Sequence, residues 1–159
     1  MITAGILLAS GASRRFGAAD KLLAPLEGRP LVTHAGAVLA QAVEGPLIVV
    51  AARAEVAAAL PGFTHVRPAR PDPAQSDSLA AGIAHARALG AGRAVVALGD
   101  MPRVTAGLIR AVLARCDAAQ AAAATDGTRP MPPACFPAAL FDRLEALSGD
   151  RGAAPVLRA

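Results

Sequence analysis

Short apolar runs alternate with amphipathic stretches along most of the chain. Ile6 to Ala9, Leu47 to Ala51 and Ala94 to Leu98 are continuous apolar runs bounded by Gly or Pro. Such runs, lacking polar alternation, read as central strands of a parallel sheet covered on both faces. Between them, Leu31 to Ala42, Ala54 to Leu60 and Ser78 to Leu89 read as helices. Thr64 to Arg67 reads as a short extra strand. Thr105 is placed to N-cap a helix running to about Arg115. Ala118 to Thr125 is ambiguous, alanine-rich enough for a helix but sited where a strand is due. A last helix is expected from Pro137, with Leu140, Phe141, Leu144 and Leu147 on one face. Strand–helix alternation of this kind predicts a three-layer α/β domain around a mostly parallel sheet. No internal repeat or linker interrupts residues 1–159, so a single domain is expected.

Composition narrows the class. A chain of 159 residues buries about two-thirds of its unfolded surface. The hydrophobic fraction of 54% is largely alanine, and no apolar run approaches the roughly 18 residues of a membrane span. Met1-Ile2-Thr3 carries no basic n-region, so no signal peptide is read and a cytoplasmic protein is expected. Cys116 and Cys135 lack a framework spacing and are expected as free buried thiols. The formal charge of +4 raises the question of nucleic acid. The basic residues are scattered, however, and with 3% aromatics there is little to stack bases on, so neither nucleic acid nor membrane is expected as a partner.

Ligands of open parallel sheets sit outside the carboxyl ends of the strands. Three loops leave such ends here, Ser10 to Lys21, Pro68 to Ser78 and Gly99 to Thr105, and they hold most of the notable polar residues. The first leaves its strand through Gly, Ser and Ala, which lets backbone N–H groups approach an anion, with Arg14, Arg15 and Lys21 adding positive charge. That suits a polyphosphate, yet neither G-x-x-x-x-G-K-[ST] nor G-x-G-x-x-G is present. In the second loop, Ser76, Asp77 and Ser78 precede or open a helix, and Ser76 or Asp77 serves equally well as its N-cap. In the third, Asp100 stands just past a buried strand, either as a ligand for a nucleotide-bound Mg²⁺ or as an ordinary turn residue before Pro102. His34, His65 and His85 share no metal-ligand spacing and are read as packing or surface residues. Arg67 and Arg70 flank the second loop, at least one of them as solvated charge.

Leu8-Ala9-Ser10-Gly11-Ala12-Ser13-Arg14-Arg15-Phe16-Gly17, followed by Lys21-Leu22, resembles the L-A-x-G-x-S-x-R-x-G…K-L signature of the MobA-like nucleotidyltransferases, which handle the molybdenum cofactor. Gly99-Asp100-Met101-Pro102 is similar to the family's metal site, and Pro73 to Gly82 to its base- and ribose-contacting segment. Pro132 to Pro137 and Leu147 to Ala153 resemble its acceptor side, though Pro130-Met131-Pro132 stands where Gly-His-Pro is frequent. Gly28-Arg29-Pro30-Leu31 matches the family turn into the first long helix and is read as structural.

The resemblance implies a three-layer Rossmann-like nucleotidyltransferase fold, Mg²⁺ as cofactor, and Arg15, Lys21 and Asp100 as catalytic residues, with Asp100 on the metal. It implies nucleotide contacts from Leu8, Ala9, Ser10, Gly11, Ser13, Arg14, Gly17, Ser76, Asp77, Ser78 and Gly82. The family arginine lies two residues before the loop's last Gly, which is Arg15; Arg14 is then a solvated neighbour or a supplementary phosphate contact. The implied reaction transfers a nucleoside monophosphate from a nucleoside triphosphate to a phosphate of molybdopterin. A molybdoenzyme or its chaperone is a further expected partner. Ala9-Ser10-Gly11 is closer to the Ala-Ala-Gly of the cytidylyl branch than to Ala-Gly-Gly, which favours CTP. Alternatives are a GTP-dependent enzyme, a sugar- or alditol-phosphate nucleotidyltransferase, and a non-catalytic carrier of nucleotide or cofactor. Related enzymes usually continue past the Gly149–Ala153 segment into a strand and a second metal-contacting motif. Only Ala154 to Ala159 follows here, so the domain is read as shortened and Asp100 as the main carboxylate on Mg²⁺.

Overall fold

The computed structural model describes residues 1–10, 21–70, 73–149 and 152–157. In chain order the elements are β1 (Thr3–Leu8), β2 (Pro25–Leu26), β3 (Arg29–Pro30), α1 (Leu31–Ala42), β4 (Leu47–Val50), α2 (Ala54–Ala58) and β5 (Thr64–Val66). There follow α3 (Gln75–Ala88), β6 (Arg93–Leu98), α4 (Ala106–Arg115), β7 (Ala122–Thr125), β8 (Pro130–Pro137), α5 (Phe141–Glu145) and α6 (Ala154–Leu157). Single 3-10 turns cover Lys21–Leu23 and Ala138–Leu140.

The main sheet has six strands in the order β5-β4-β1-β6-β8-β7. β5, β4, β1 and β6 are mutually parallel, whereas β8 runs antiparallel to both β6 and β7. Strand pleating sends alternate side chains to opposite faces, which makes two cores. Leu7, Val49, Val95 and Ala97 face α1, α2 and α4 through Val32, Leu39, Val56 and Ile109. Ala4, Ile6, Leu8, Ile48, Val50 and Val96 face α3 and α5 through Leu79, Ile83, Phe141 and Leu144. The expected three-layer α/β architecture is present.

Several elements match their sequence signals closely. Leu31–Ala42 and the Thr105-capped helix have the predicted bounds, and the Thr105 hydroxyl accepts the Leu108 N–H at 3.1 Å. Ala118 to Thr125 resolves to strand over Ala122–Thr125. The last helix is corrected: Pro137 closes β8, a 3-10 turn follows, and the α-helix begins only at Phe141. β8 itself was not expected, because a run with four prolines argues against a central strand. The prolines sit where the ladder tolerates them. Ala123 pairs with Ala134 and Ala124 with Met131, so Pro132 and Pro133 bulge out of register, while Pro130 and Pro137 occupy the ends.

Two features lock the layers. Arg93 donates from Nε to the Thr3 hydroxyl at 2.8 Å and from Nη1 to the Leu113 carbonyl at 2.9 Å, stitching β6 to β1 and to the end of α4. Arg87 on α3 meets Asp142 at 2.7 Å and Glu145 at 3.3 Å on α5 and lies over the Phe141 ring. Cys116 and Cys135 are free and buried in the same core, and burial pushes the Cys135 thiol pKa up, helped by its contact with Cys116.

Candidate active site

The carboxyl ends of β4, β1 and β6 converge on Leu8-Ala9-Ser10. The Ala9 N–H donates to the Val50 carbonyl at 2.8 Å, and the Gly99 N–H donates to the Leu8 carbonyl at 2.9 Å. Gly99 lies close enough that a Cβ there would stand 3.3 Å from the Leu8 oxygen and 3.1 Å from Val32. Glycine at this position therefore lets the Gly99-Asp100 turn sit directly against the start of the first loop. Asp100 is exposed at that turn, with no hydrogen-bond or ion-pair partner among the described residues. A solvent-facing carboxylate without a protein partner has the hard oxygen donors that Mg²⁺ prefers. No three His, Cys, Asp or Glu residues gather into a metal-binding group among the described residues.

The second loop arrives through α3. The Ser78 hydroxyl hydrogen-bonds the Ser10 hydroxyl, both nearly fully buried, and so fastens the first turn of α3 to the end of β1. Ser76 is buried beside it, and its N–H donates to the Gly149 carbonyl at 3.2 Å, bringing in the segment before α6. Leu8, Ala9, Ser10, Ser76, Ser78 and Asp100 thus share one edge of the sheet. Lys21, the chain's only lysine, is exposed in the 3-10 turn that follows the first loop. Gly11, Ser13, Arg14, Arg15 and Gly17 lie outside the described residues.

Asp77 and Gly82 have clear structural roles. Asp77 is not the N-cap; Ala74 holds that position, and the Asp77 carboxylate accepts its N–H at 2.8 Å from the third helical position. Arg70 donates to the same carboxylate oxygen at 2.7 Å. The Ala74 N–H, and after it the Arg70 guanidinium, hold the Asp77 carboxyl below its usual range. That one oxygen, Oδ2, helps to shape the helix start. Gly82 packs α3 onto the sheet: a Cβ there would stand 2.8 Å from Ile6 Cγ2 and 3.1 Å from Val50 Cγ2. It sets how closely α3 approaches the sheet.

Three other polar residues singled out, His34, His65 and Arg67, bond the main chain. His34 Nε2 and His65 Nε2 lie 2.7 and 2.8 Å from the Leu26 and Ala51 carbonyls, and Arg67 donates to the Ala52 carbonyl at 3.2 Å. Glu27 and Gly28, both at positive φ, turn the small β2–β3 hairpin that leads into α1.

A cleft of about 560 Å³ opens at this same edge, between the first turn of α3, the β8 bulge and α6. Its walls include Leu8, Leu79, Leu98, Met131, Gln75 and Arg129. Leu8 and Leu98 are partners across β1 and β6, each two residues before Ser10 and Asp100 respectively. Arg129 was not singled out in the sequence, and Gln75 entered only as part of the segment that opens α3. The Asp126-Gly127 dipeptide was a usable hairpin signal for Arg129, hidden by alanine before it and proline after it.

A family model of the MobA-like NTP transferase domain matches residues 5–159. The chain belongs to the MobA-like NTP transferases. This family member is therefore a nucleotidyltransferase by kind, and solved structures agree. A nucleotidyl transferase from Methanothermobacter (Mth528) superposes with a TM-score of 0.81 at 25% identity, over 98% of this chain and 80% of that one. Rv0371c from Mycobacterium tuberculosis superposes at 0.76 and 25% identity, over 100% and 83%. A CMP:2-keto-3-deoxy-manno-octonic acid synthetase complexed with CTP shares the fold at 0.67, with 13% identity over 96% and 81%. No curated protein sequence matches the chain significantly. No helix among the described residues is long and apolar enough to cross a membrane.

Proposed function

We propose that this nucleotidyltransferase moves the CMP moiety of CTP onto a phosphate of a molybdopterin-type acceptor and releases pyrophosphate. The observation that carries the reading is the convergence just described, with Ser10 joined to Ser78 and the Asp100 turn abutting Leu8 and Ala9. An oxygen of the acceptor phosphate attacks the α-phosphorus, and the bond from that phosphorus to the bridging oxygen of the β-phosphate breaks. The acceptor is already an anionic nucleophile, so the protein's work is alignment and charge neutralisation.

In this reading, backbone N–H groups of the loop that begins at Ser10 receive the triphosphate. Lys21 meets it as a compact point charge, and Arg15 belongs to the same group by its place in the family motif. Ser78, fixed by Ser10, and Ser76 stand toward the nucleoside. Asp100 would hold a Mg²⁺ ion, which when bound neutralises charge on the triphosphate and on the departing pyrophosphate. The Ala9-Ser10-Gly11 sequence, nearer to the cytidylyl pattern, supports CTP over GTP.

Pyrophosphate release from each of the four nucleoside triphosphates, with and without molybdopterin in Mg²⁺, tests the reading. Release with CTP that depends on the acceptor is expected. Preference for GTP would move the protein to the guanylyl branch, and nucleotide binding without turnover would make it a carrier.

A further inference from the structure

Among the described residues, the polar side chains buried almost completely are three serines, Ser10, Ser76 and Ser78, and all three stand at the carboxyl edge of the sheet. Ser10 is 9% exposed and Ser78 4%, and their hydroxyls are bonded to each other across 68 positions of sequence. Two features bring them together. The Ala9 N–H bond to the Val50 carbonyl, at 2.8 Å, fixes the chain just before Ser10, and Gly82 lets α3 approach Ile6 and Val50. The bond belongs to this chain's own sequence, since neither Ala-Ala-Gly nor Ala-Gly-Gly carries a hydroxyl where Ser10 stands.

A pair of hydroxyls holds two protons, and the bond between them uses one. Neither Ser10 Oγ nor Ser78 Oγ has another partner among the described residues. One O–H is therefore left to donate, in a place where a donor without an acceptor is costly. With Ser10 donating to it, the Ser78 hydroxyl is held in one orientation and its own proton is directed onward. Without Ser10 that hydroxyl turns freely and serves as donor or acceptor alike. The difference matters at a nucleobase. Ring nitrogen 3 of cytosine accepts a hydrogen bond, whereas that of uracil carries N–H and donates, and the two rings are nearly the same shape. A fixed donor rejects the wrong pattern, because donor would face donor.

We propose that Ser10 is a specificity-determining positioning residue: it donates to Ser78 and so holds the Ser78 hydroxyl as a donor to the nucleobase, selecting cytosine over uracil. The inference rests on the nucleotidyl-transfer reading and names the residue that sets its choice of base. It is tested by calorimetric titration of the full chain with CTP and with UTP. The proteins are wild type, Ser10→Ala, Ser10→Gly, Ser78→Ala and the Ser10→Ala/Ser78→Ala double variant, each checked by circular dichroism for the folded state. The wild type should bind CTP at least about tenfold more tightly than UTP. Ser10→Ala and Ser10→Gly should each narrow that ratio at least about threefold, mainly by weakening CTP. Ser78→Ala should cost more CTP affinity than Ser10→Ala, and adding Ser10→Ala to it should change neither affinity by more than about twofold. A wild type that binds CTP and UTP alike, a ratio unchanged in both Ser10 variants, a larger loss from Ser10→Ala than from Ser78→Ala, or losses that add in the double variant would each overturn the proposal. Failure of CTP to bind the wild type would sink the nucleotidyl-transfer reading, and this inference with it.

Discussion

Lys21 is both the only lysine of the chain and an exposed one, at the exit of the loop that opens at Ser10. If it meets the triphosphate, Lys21→Ala removes a charge-assisted contact worth about 1.5–3 kcal/mol, a loss of roughly tenfold to a hundredfold in CTP affinity. Calorimetry on the variant checks this, and unchanged affinity would remove Lys21 from the site. Asp126 gives a second test. The Thr128 N–H and hydroxyl, then the Arg129 N–H, hold its carboxyl at about 2, below its ordinary value near 4. A depressed carboxyl stabilises the fold above its unfolded pKa, and that contribution fades as the pH falls through the folded value. The Thr128 amide should therefore shift with a midpoint near pH 2 in an NMR titration; a midpoint near 4 would mean that the turn holding Arg129 does not form. The sequence exposed chemistry at this scale unevenly. Position and motif singled out Asp100, Ser78 and Asp77 alike, whereas the bonds from the Ala74 N–H and Arg70 to one Asp77 carboxylate oxygen became visible only in the fold.

At the scale of elements, the site depends on how α3 meets the sheet. Gly82 lets the helix come close to Ile6 and Val50, and the same approach lets Ser78 reach Ser10. Gly82→Ala should push α3 outward, destabilise the protein by about 1–3 kcal/mol and weaken nucleotide binding as Ser78 moves away. Chemical denaturation beside a CTP titration measures both; full stability with normal binding would show that the close approach is dispensable. The long, periodic or uniformly apolar elements were legible in the sequence, as with α1 and β6, because burial on one or both faces leaves a direct pattern. β8 was not. Its pairing depends on a bulge that takes Pro132 and Pro133 out of the ladder, and bulges are decided by the neighbouring strand rather than by the residues themselves. The cleft stayed hidden with it, since one wall is that bulge.

For the whole molecule, the sheet order does what motif spacing alone could not. Placing β1 between β4 and β6 brings Leu8 and Leu98, ninety positions apart, into register, and Ser10 and Asp100 just beyond them to one edge. The strand ends could be inferred from the sequence, and so could the loops that leave them; their mutual distances required the fold. On the proposed reading, this edge transfers a nucleotide with Asp100 as a metal-holding carboxylate. The most direct measurement is pyrophosphate release from CTP with molybdopterin in Mg²⁺, comparing wild type with Asp100→Asn. The substitution is nearly isosteric at an exposed turn, so folding should be unaffected and melting unchanged. Acceptor-dependent release by the wild type, reduced at least a hundredfold in Asp100→Asn, is the predicted result. Equal release by the two proteins would contradict the metal-holding role of Asp100, and no release by a wild type that binds CTP would contradict nucleotidyl transfer.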